Sequence, residues 1–238
     1  MKMKLWQHAA LLLALTFTAC DRPGGDNRLS SQEEREGWKL LFDGRTTNGW
    51  HVYNKGQVPS AWTVQNGALV CVAGKMPEVA DLVTDESFEN YELRFDWKIS
   101  KEGNSGVFIN VVERPDIVAA WASGPEYQLL ETTHHDFSIP TKRSGCLYSF
   151  YGQATETALK PAEEWNESRI VQQNGKVEFY LNGQLTAKED FTSQAWRDTV
   201  AHTHFAKYPV FGVATKGRIA LQDWSKEASF KNIKIKSL

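Results

Sequence analysis

The chain has 238 residues, of which 41% are hydrophobic and 24% are charged, a globular composition with enough length for one large core. Its formal net charge of −2 and the absence of a lysine or arginine cluster argue against nucleic acid as a partner. Nine tryptophans are a high number, and because indole rings stack on the apolar faces of sugars they weakly favour carbohydrate as a ligand.

The N-terminus has the pattern of a bacterial export signal. Two early lysines precede a short apolar run at residues 9–15, and small residues lead into Cys20. The run is too short to cross a bilayer as a stable helix. Its end resembles a lipobox, in which the cysteine is acylated, and the alternative is a plain secretory signal with an incidental cysteine. We therefore expect residues 1–20 to direct export, Cys20 to anchor the chain to a membrane of the bacterial cell envelope, and residues 21–36 to form a flexible polar tether.

From residue 37 to residue 238 the sequence predicts strands. Residues 91–99 alternate between apolar and polar side chains, so one face belongs to the core and the other meets solvent. The pairs Asn66-Gly67 and Asn174-Gly175 each join two strand-like runs, as two-residue hairpin turns require. An irregular or short helical insertion is expected at residues 192–208, and the last strands at residues 210–214, 218–224 and 228–236. The pattern predicts one antiparallel β-sandwich of at least eleven strands, in which a curved sheet can hold a ligand on its concave face.

Two further cysteines, Cys71 and Cys146, lie within this region. Export would permit a disulfide between them. Both lie in apolar strand-like runs, where a free cysteine packs well, so free thiols are the favoured prediction.

Residues 124–131, with the sequence GPEYQLLE, form the best candidate for a ligand-binding strand. Because side chains alternate along a strand, burial of Tyr127 and Leu129 would leave Glu126 and Gln128 on the opposite face, about 7 Å apart. A carboxylate and an amide at this spacing suit the hydroxyl groups of a sugar. The simpler interpretation is an amphipathic strand whose polar face meets water.

A second carboxylate, Glu131, completes the pattern E-x-Q-x-x-E, one residue from the E-x-D-x-x-E of jelly-roll glucanases. A retaining glycosidase needs two carboxyl groups about 5 Å apart, and a β-bulge would bring Glu131 onto the face of Glu126. Gln128 replaces the middle acid, however, and so short a motif also occurs by chance.

The triplet His134, His135 and Asp136 follows this strand in a long polar loop. A histidine that folds back over Glu126 would serve as a general base near neutral pH. With Glu126 and Asp223 it could also ligate a divalent metal ion through mixed nitrogen and oxygen ligands. A solvated loop is the alternative, and the identity of any cofactor stays open.

Two other places offer side chains that suit a sugar. Residues 221–224, LQDW, combine an amide, a carboxylate and an indole in Gln222, Asp223 and Trp224. Asn104 lies in GNSG at residues 103–106, although an asparagine flanked by glycines is also ordinary turn chemistry.

Taken in order, seven short motifs over residues 37–238 resemble the 3-keto-disaccharide hydrolase family. They are GWKLLFDG (37–44), GNSG (103–106), GPEYQLL (124–130), EWN (164–166), LNG (181–183), IALQD (219–223) and SFKNIKI (229–235). The resemblance implies a concanavalin-like jelly roll, and it implies substrates that are disaccharides or glycosides oxidised at C3 of a sugar ring.

That substrate class fits a chemistry that these residues can perform. A ketone at C3 acidifies the C2 hydrogen, so a base removes it, the enolate expels the C1 leaving group, and addition of water completes a net hydrolysis. The route needs one base and a group that stabilises the oxyanion, rather than two carboxylates. Glu126 or His135 is the candidate base, and a metal ion or the Asn104 and Gln128 amides would stabilise the enolate.

The chain departs from the family pattern at one place, where members commonly read Leu-Gln-Asp-His and this sequence has Trp224. An indole there would offer a stacking surface, which favours binding over turnover. We expect a hydrolase or lyase of 3-keto glycosides, and the alternatives are a non-catalytic lectin-like module and a surface adhesion or scaffold protein. The expected catalytic residues are Glu126, His135 and Asp223, and the expected substrate-binding residues are Asn104, Gln128, Gln222 and Trp224.

Overall fold

The computed structural model describes residues 25–76 and 79–238, so the predicted export signal at residues 1–20, with Cys20, lies outside the described residues. Thirteen strands lie within these ranges: Lys39–Leu40 (β1), Trp50–Val52 (β2), Trp62–Gln65 (β3), Ala68–Val72 (β4), Leu82–Thr84 (β5), Tyr91–Ile99 (β6), Asn104–Val111 (β7), Glu126–Leu130 (β8), Asn166–Gln173 (β9), Lys176–Leu181 (β10), Gln184–Asp190 (β11), Arg218–Leu221 (β12) and Glu227–Ser237 (β13). The described α-helices are Ser31–Arg35 (α1) and Gln194–Ala201 (α2), and the described 3-10 helices are Ala120–Ala122, His135–Ser138, Pro140–Lys142 and His204–Lys207. No helix in the described ranges is long and apolar enough to cross a membrane.

The strands form the antiparallel β-sandwich that the alternation predicts. An eight-stranded sheet has the order β11-β10-β9-β6-β13-β4-β3, with β1 paired to β13, and a five-stranded sheet has the order β2-β5-β12-β7-β8. One hydrophobic core lies between them. It contains every second residue of β6 from the first sheet and residues such as Val107, Ile109 and Leu221 from the second. Each large apolar side chain buried in this way contributes about 2 kcal/mol, which fixes the register of both sheets.

The strongest local predictions are confirmed. Asn66-Gly67 joins β3 to β4 and Asn174-Gly175 joins β9 to β10, and all four residues have the positive φ that such turns need. Cys71 and Cys146 are buried free thiols.

Three local predictions are wrong. The segment GNSG at residues 103–106 is not a turn, because β7 already begins at Asn104. Residues 210–214 form turns rather than a strand, and β12 ends at Leu221, before residue 224. By contrast, the short helical insertion expected at residues 192–208 is present as α2, which begins where the Ser193 hydroxyl accepts a hydrogen bond from the Trp196 N–H.

The described part of the expected tether, residues 25–36, lies against the eight-stranded sheet instead of leaving it. Asn27 is buried, its N–H donates to Asn232 Oδ1 at 2.6 Å, and its amide nitrogen donates to the Gly67 carbonyl at 2.7 Å. Helix α1 follows with a complete capping box between Ser30 and Glu33. The polar side chains of this segment therefore form hydrogen bonds to the domain. Composition alone does not distinguish such bonds from hydrogen bonds to water.

We expect Asn232→Gly to destabilise the fold by about 2 kcal/mol, because the Asn232 amide bonds to Asn27 N–H, Asp26 and Asp96 in a buried position. Asn232 has φ 53°, so Asn232→Ala should cost about 1 kcal/mol more than the glycine variant. Urea unfolding of the wild type and the two variants measures the stability lost with the amide and the further loss from alanine at a positive φ. Equal stability of all three proteins would contradict this role of Asn232.

Candidate functional site

A cavity of about 310 Å³ opens on the outer face of the five-stranded sheet. Its lining combines sheet residues with residues from the surrounding loops: Asn104, Trp121, Glu126, Gln128, Asp136, Lys142, Tyr148, His204, Phe205, Gln222 and Trp224. Five of the seven residues that the sequence assigned to catalysis or substrate binding are therefore brought together, namely Asn104, Glu126, Gln128, Gln222 and Trp224.

The register of the sheet explains why polar side chains meet at the cavity. Gly106 of β7 pairs with Gln128 of β8, and the Gln222 N–H donates to the Gly106 carbonyl at 2.9 Å on the other side. Leu82 pairs with Leu221, which places Asp81 beside Gln222 in the next strand. Asp81, Gln222, Gly106 and Gln128 thus form one row across the sheet, on the face opposite the core residues Tyr127 and Leu129.

Gly106 leaves the space that Glu126 occupies. A Cβ atom at Gly106 would lie 2.0 Å from Glu126 Oε1, so the carboxyl group leans over the glycine and toward the middle of the row. Glu126 is 7% exposed. Burial raises its pKa well above the ordinary value, and the nearby Asp81 carboxylate raises the pKa further. A carboxyl with these properties is a candidate for proton transfer.

Gln128 positions this carboxyl group. In the amide orientation that satisfies both ends of the side chain, its nitrogen donates to Glu126 Oε1 at 2.9 Å and to the Ser105 carbonyl at 3.1 Å. The opposite orientation would pair the amide nitrogen with Asn104 Oδ1 at 3.3 Å and leave the carbonyl end facing only acceptors. The first orientation satisfies more groups, so we assign it.

The loop after β8 returns along the edge of the sheet and supplies the next wall. Tyr148 N–H donates to the Glu126 carbonyl at 3.0 Å and Leu147 forms a bridge with Tyr127, so Tyr148 lies beside Glu126 on the same face. Burial raises the pKa of the half-buried Tyr148, and the Glu126 carboxylate adds to this effect. The Tyr148 hydroxyl is therefore a proton donor that stays neutral beside the carboxyl group.

Lys142 brings a positive charge to the same wall. Its Nζ donates to Asp136 Oδ2 at 2.9 Å, and this hydrogen bond to Asp136 raises the pKa of Lys142. Trp121, which also lines the cavity, packs edge to face against Tyr208 with ring centroids 4.9 Å apart, and the lining residue Trp224 is 57% exposed. The cavity thus combines a buried acid, a cation, amides and two indoles.

His135 does not line this cavity. Its side chain is 83% exposed and its ring stacks on His134 with centroids 4.1 Å apart. One potential ligand atom from each of His134, His135 and Asp136 lies within 4.8 Å of the others, so the loop could hold a cation there without Glu126 or Asp223. The Lys142 ammonium group that is paired with Asp136 opposes such binding.

Asp223 lies beside the Glu126 cavity, not in it, and it is 1% exposed. Its Oδ2 accepts from the Ala80 N–H at 3.1 Å, and its own N–H donates to Asp81 Oδ1 at 3.1 Å. These bonds join the end of β12 to the start of β5, and they hold Asp81 in place. Burial raises the pKa of the adjacent Cys71 thiol, and the Asp223 carboxylate raises it further.

Glu131 is turned away from Glu126, because the β7–β8 ladder runs without a bulge from Asn104 to Phe108. Its carboxylate accepts from the Glu102 N–H at 2.9 Å and from the backbone and hydroxyl of Thr133. Burial alone would raise the pKa of Glu131, but these hydrogen bonds lower it to about 2. The two-carboxylate arrangement that the E-x-Q-x-x-E pattern suggested is therefore not formed.

Sequence reasoning missed Asp81, Lys142 and Tyr148. The available signal for Asp81 was a carboxylate directly before the apolar pair Leu82 and Val83 of a short strand, where a buried charge needs a reason. Lys142 and Tyr148 lie 14 and 20 residues beyond Gln128, and only the returning loop brings them to the cavity.

A larger cavity, of about 760 Å³, lies between the N-terminal segment and the outer face of the eight-stranded sheet. Its prominent charges are already paired, Lys234 with Glu33 and Arg94 with Glu92. Size alone does not make it the better candidate, because the buried acid with a raised pKa lies in the smaller one.

Asp81 gives the site a measurable pH dependence. Burial raises its pKa to about 7, and the Asp223 carboxylate contributes. The folded protein therefore keeps a proton that the unfolded chain releases near pH 4, and its free energy of unfolding should fall by up to about 4 kcal/mol as the pH rises from 4 to 7. Asp81→Asn should flatten this slope, because an amide does not titrate in this range and its oxygen still accepts the hydrogen bond from the Asp223 N–H. Urea unfolding from pH 4 to pH 8 measures the slope, and an unchanged slope in Asp81→Asn would contradict the pKa.

The fold places the protein in the jelly-roll class. A carbohydrate-binding module, CBM66 from Bacillus subtilis, shares the fold with a TM-score of 0.50 at 12% identity, over 79% of this chain and 96% of that chain. A solved structure from Parabacteroides distasonis, provisionally assigned as a glycosyl hydrolase, has a TM-score of 0.82 at 33% identity and covers 90% of this chain and 99% of its own. A 3-keto-disaccharide hydrolase of Bacteroides thetaiotaomicron is 28% identical over 98% of this chain and 89% of that protein.

The chain belongs to the family of 3-keto-alpha-glucoside-1,2-lyase-like domains, whose family model matches residues 37–236. The resemblance seen in the sequence motifs is thereby confirmed, and the protein is an enzyme of the glycoside hydrolase and lyase class that acts on carbohydrate.

Proposed function

We propose that the protein cleaves disaccharides or glycosides oxidised at C3, by elimination followed by hydration, with Glu126 as the base. The observation that carries the proposal is a single buried carboxyl group, leaning over Gly106 into a cavity that also holds a cation and neutral proton donors. The substrate class of the Bacteroides relative supports the same reaction.

Glu126 in its ionised form takes the proton from C2, which the neighbouring C3 ketone acidifies. The enolate then re-forms the ketone and expels the C1 oxygen, with a double bond between C1 and C2. The proton held on Glu126 is available to the leaving oxygen, so the elimination balances without a second acid. Water adds to C1, gives a proton to the carboxylate, and C2 regains its proton.

Lys142 and Tyr148 are placed to stabilise the negative charge that develops on the C3 oxygen. Lys142 supplies a positive charge and Tyr148 a neutral hydroxyl, on the wall next to Glu126. Preorganised donors of this kind lower the barrier because they need no rearrangement during the reaction. Asn104 and Gln222 then form hydrogen bonds with the hydroxyl groups of the sugar.

Ordinary retaining hydrolysis fits the site less well. It needs one ionised carboxylate as nucleophile beside a protonated acid. Burial raises the pKa of both Glu126 and Asp81, and no ion pair holds Glu126 ionised among the residues that the structure describes. The same burial makes Glu126 a strong base once it has lost its proton, which suits removal of a hydrogen from carbon.

Turnover of a chromogenic 3-keto-glucoside beside its unoxidised counterpart tests the proposal. We expect release from the keto substrate alone. Equal cleavage of both substrates would point to an ordinary glycosidase. Repeating the assay with a chelator shows whether a metal ion held by His134, His135 and Asp136 contributes to turnover.

A lectin-like module is the second candidate, because His135 and Asp223 do not join Glu126 and because Trp121 and the exposed Trp224 contribute indole rings to the cavity lining. A lectin-like module would bind unoxidised sugars saturably and would turn over neither the 3-keto-glucoside nor its unoxidised counterpart.

We also propose that the protein is exported and lipid-anchored through Cys20, on the strength of the sequence pattern at residues 1–20. Expression of the full chain in a bacterial host should give a membrane-bound, acylated form detectable by mass spectrometry. Cys20→Ala should be released from the membrane and Cys71→Ala should not. Membrane association that survives Cys20→Ala would contradict the anchor.

A further inference from the structure

A second cavity, of about 200 Å³, adjoins the Glu126 cavity. The two share Trp121, Gln222 and Trp224 in their linings. We call the second cavity the Asp81 lobe, and its further lining includes Lys55, Asp81, Val118 and Ala119. The two cavities lie on either side of Gln222, because Asp81 and Gly106 flank Gln222 in the row across the sheet.

The lining of the Asp81 lobe has the chemistry that a pyranose ring requires. Asp81 offers an acceptor and Lys55 a donor for hydroxyl groups, whereas Val118 and Ala119 offer an apolar wall for the carbon–hydrogen face. Trp121 and Trp224 add indole rings at the boundary, where they can contact a ring on either side.

Gln222 lies at the boundary between the two cavities, and its side-chain oxygen is the feature that points to a ligand there. Its Oε1 is buried and accepts no hydrogen bond from the residues that the structure describes. An unpaired acceptor of this kind is costly, and a hydroxyl group of a ligand that crosses the boundary would satisfy it.

We propose that the Asp81 lobe binds the leaving sugar of a disaccharide, so that the substrate crosses Gln222 with its oxidised ring beside Glu126. The assignment of the oxidised ring rests on the proposed function. The existence of two sugar positions does not, because it follows from the two linings and their shared residues. The lobe thus selects disaccharides over glycosides with a small leaving group.

Val118→Trp tests this selection, because Val118 is 71% exposed at the lobe and a large side chain there narrows it without entering the core. The matched control is Val213→Trp, since Val213 is 65% exposed and lines neither cavity. The probes are 3-keto-maltose, 3-keto-trehalose and methyl 3-keto-α-glucoside. We expect Val118→Trp to lower kcat/KM for the disaccharide that the wild type prefers by about tenfold or more, with the methyl glycoside unchanged. Ala119→Phe narrows the lobe from its half-buried side and should have the same effect.

Calorimetric binding to Glu126→Gln separates this proposal from the proposed function. If a keto-disaccharide binds more tightly than the methyl glycoside and Val118→Trp removes the difference, the lobe is confirmed even if no protein turns over any of the three probes. Equal effects of Val118→Trp and Ala119→Phe on the disaccharides and on the methyl glycoside, or no effect on any probe, would overturn the lobe. If the wild type turns over none of the probes and disaccharides are still bound selectively, only the proposed reaction is overturned.

Discussion

Glu126→Gln is expected to lower kcat on a 3-keto-glucoside by about 10³-fold, because the amide cannot accept the C2 proton. The fold should survive, since Glu126 is buried with a raised pKa and the substitution removes an ionisable group from a buried position. In the wild type, kcat/KM should rise with pH at values above the ordinary carboxyl range, because Glu126 must ionise to act. Kinetics over pH 5 to 9, with circular dichroism of both proteins, measure these effects.

Glu131→Gln is the control for Glu126→Gln, because both acids come from the same short stretch. Hydrogen bonds lower the pKa of Glu131 to about 2, so its loss should reduce stability near neutral pH and leave the kcat of the folded protein almost unchanged. A Glu126→Gln protein with nearly full kcat, or a Glu131→Gln protein that is folded but inactive, would show that the base is misassigned.

Gly106→Ala should lower kcat by about 10²-fold. The new Cβ would lie 2.0 Å from Glu126 Oε1, so the carboxyl group has to leave its position over the row, and displacement of a reacting group by about 1 Å costs this much. Gly106 lies in a strand without a positive φ, so alanine brings no backbone strain of its own.

The Gly106→Ala effect should act through Glu126 alone. The double variant Gly106→Ala/Glu126→Gln should therefore be no slower than Glu126→Gln, whereas independent effects would multiply. Gly152→Ala, whose Cβ would meet Pro140 Cβ at 3.3 Å outside the cavity, should keep full activity. Multiplicative losses in the double variant would mean that Gly106 matters for another reason.

The sequence predicts the sandwich and the central strand because both depend on short-range patterns. Alternation places Tyr127 and Leu129 in the core and Glu126 and Gln128 on the opposite face, and the structure has this arrangement. Turn chemistry likewise locates the Asn66-Gly67 and Asn174-Gly175 hairpins.

The missing part of the site depends on long-range register and on loop paths, which carry no local signal. Gly106 resembles a turn residue in the sequence, and only its pairing with Gln128 shows that it makes room for Glu126. His135 was chosen because it follows β8 closely, yet the loop turns it outward. Tyr148 comes later in the same loop, and its hydrogen bond to the Glu126 carbonyl brings it to the cavity.

The most direct test of the account is a comparison of 3-keto-glucosides that carry hydrogen or deuterium at C2. If Glu126 removes the C2 proton, the deuterated substrate should be cleaved more slowly, and the label should pass to solvent faster than in parallel samples with Glu126→Gln or with no enzyme. Equal cleavage rates with full retention of the label at C2 would show that the bond at C1 breaks without enolate formation, which would contradict the mechanism.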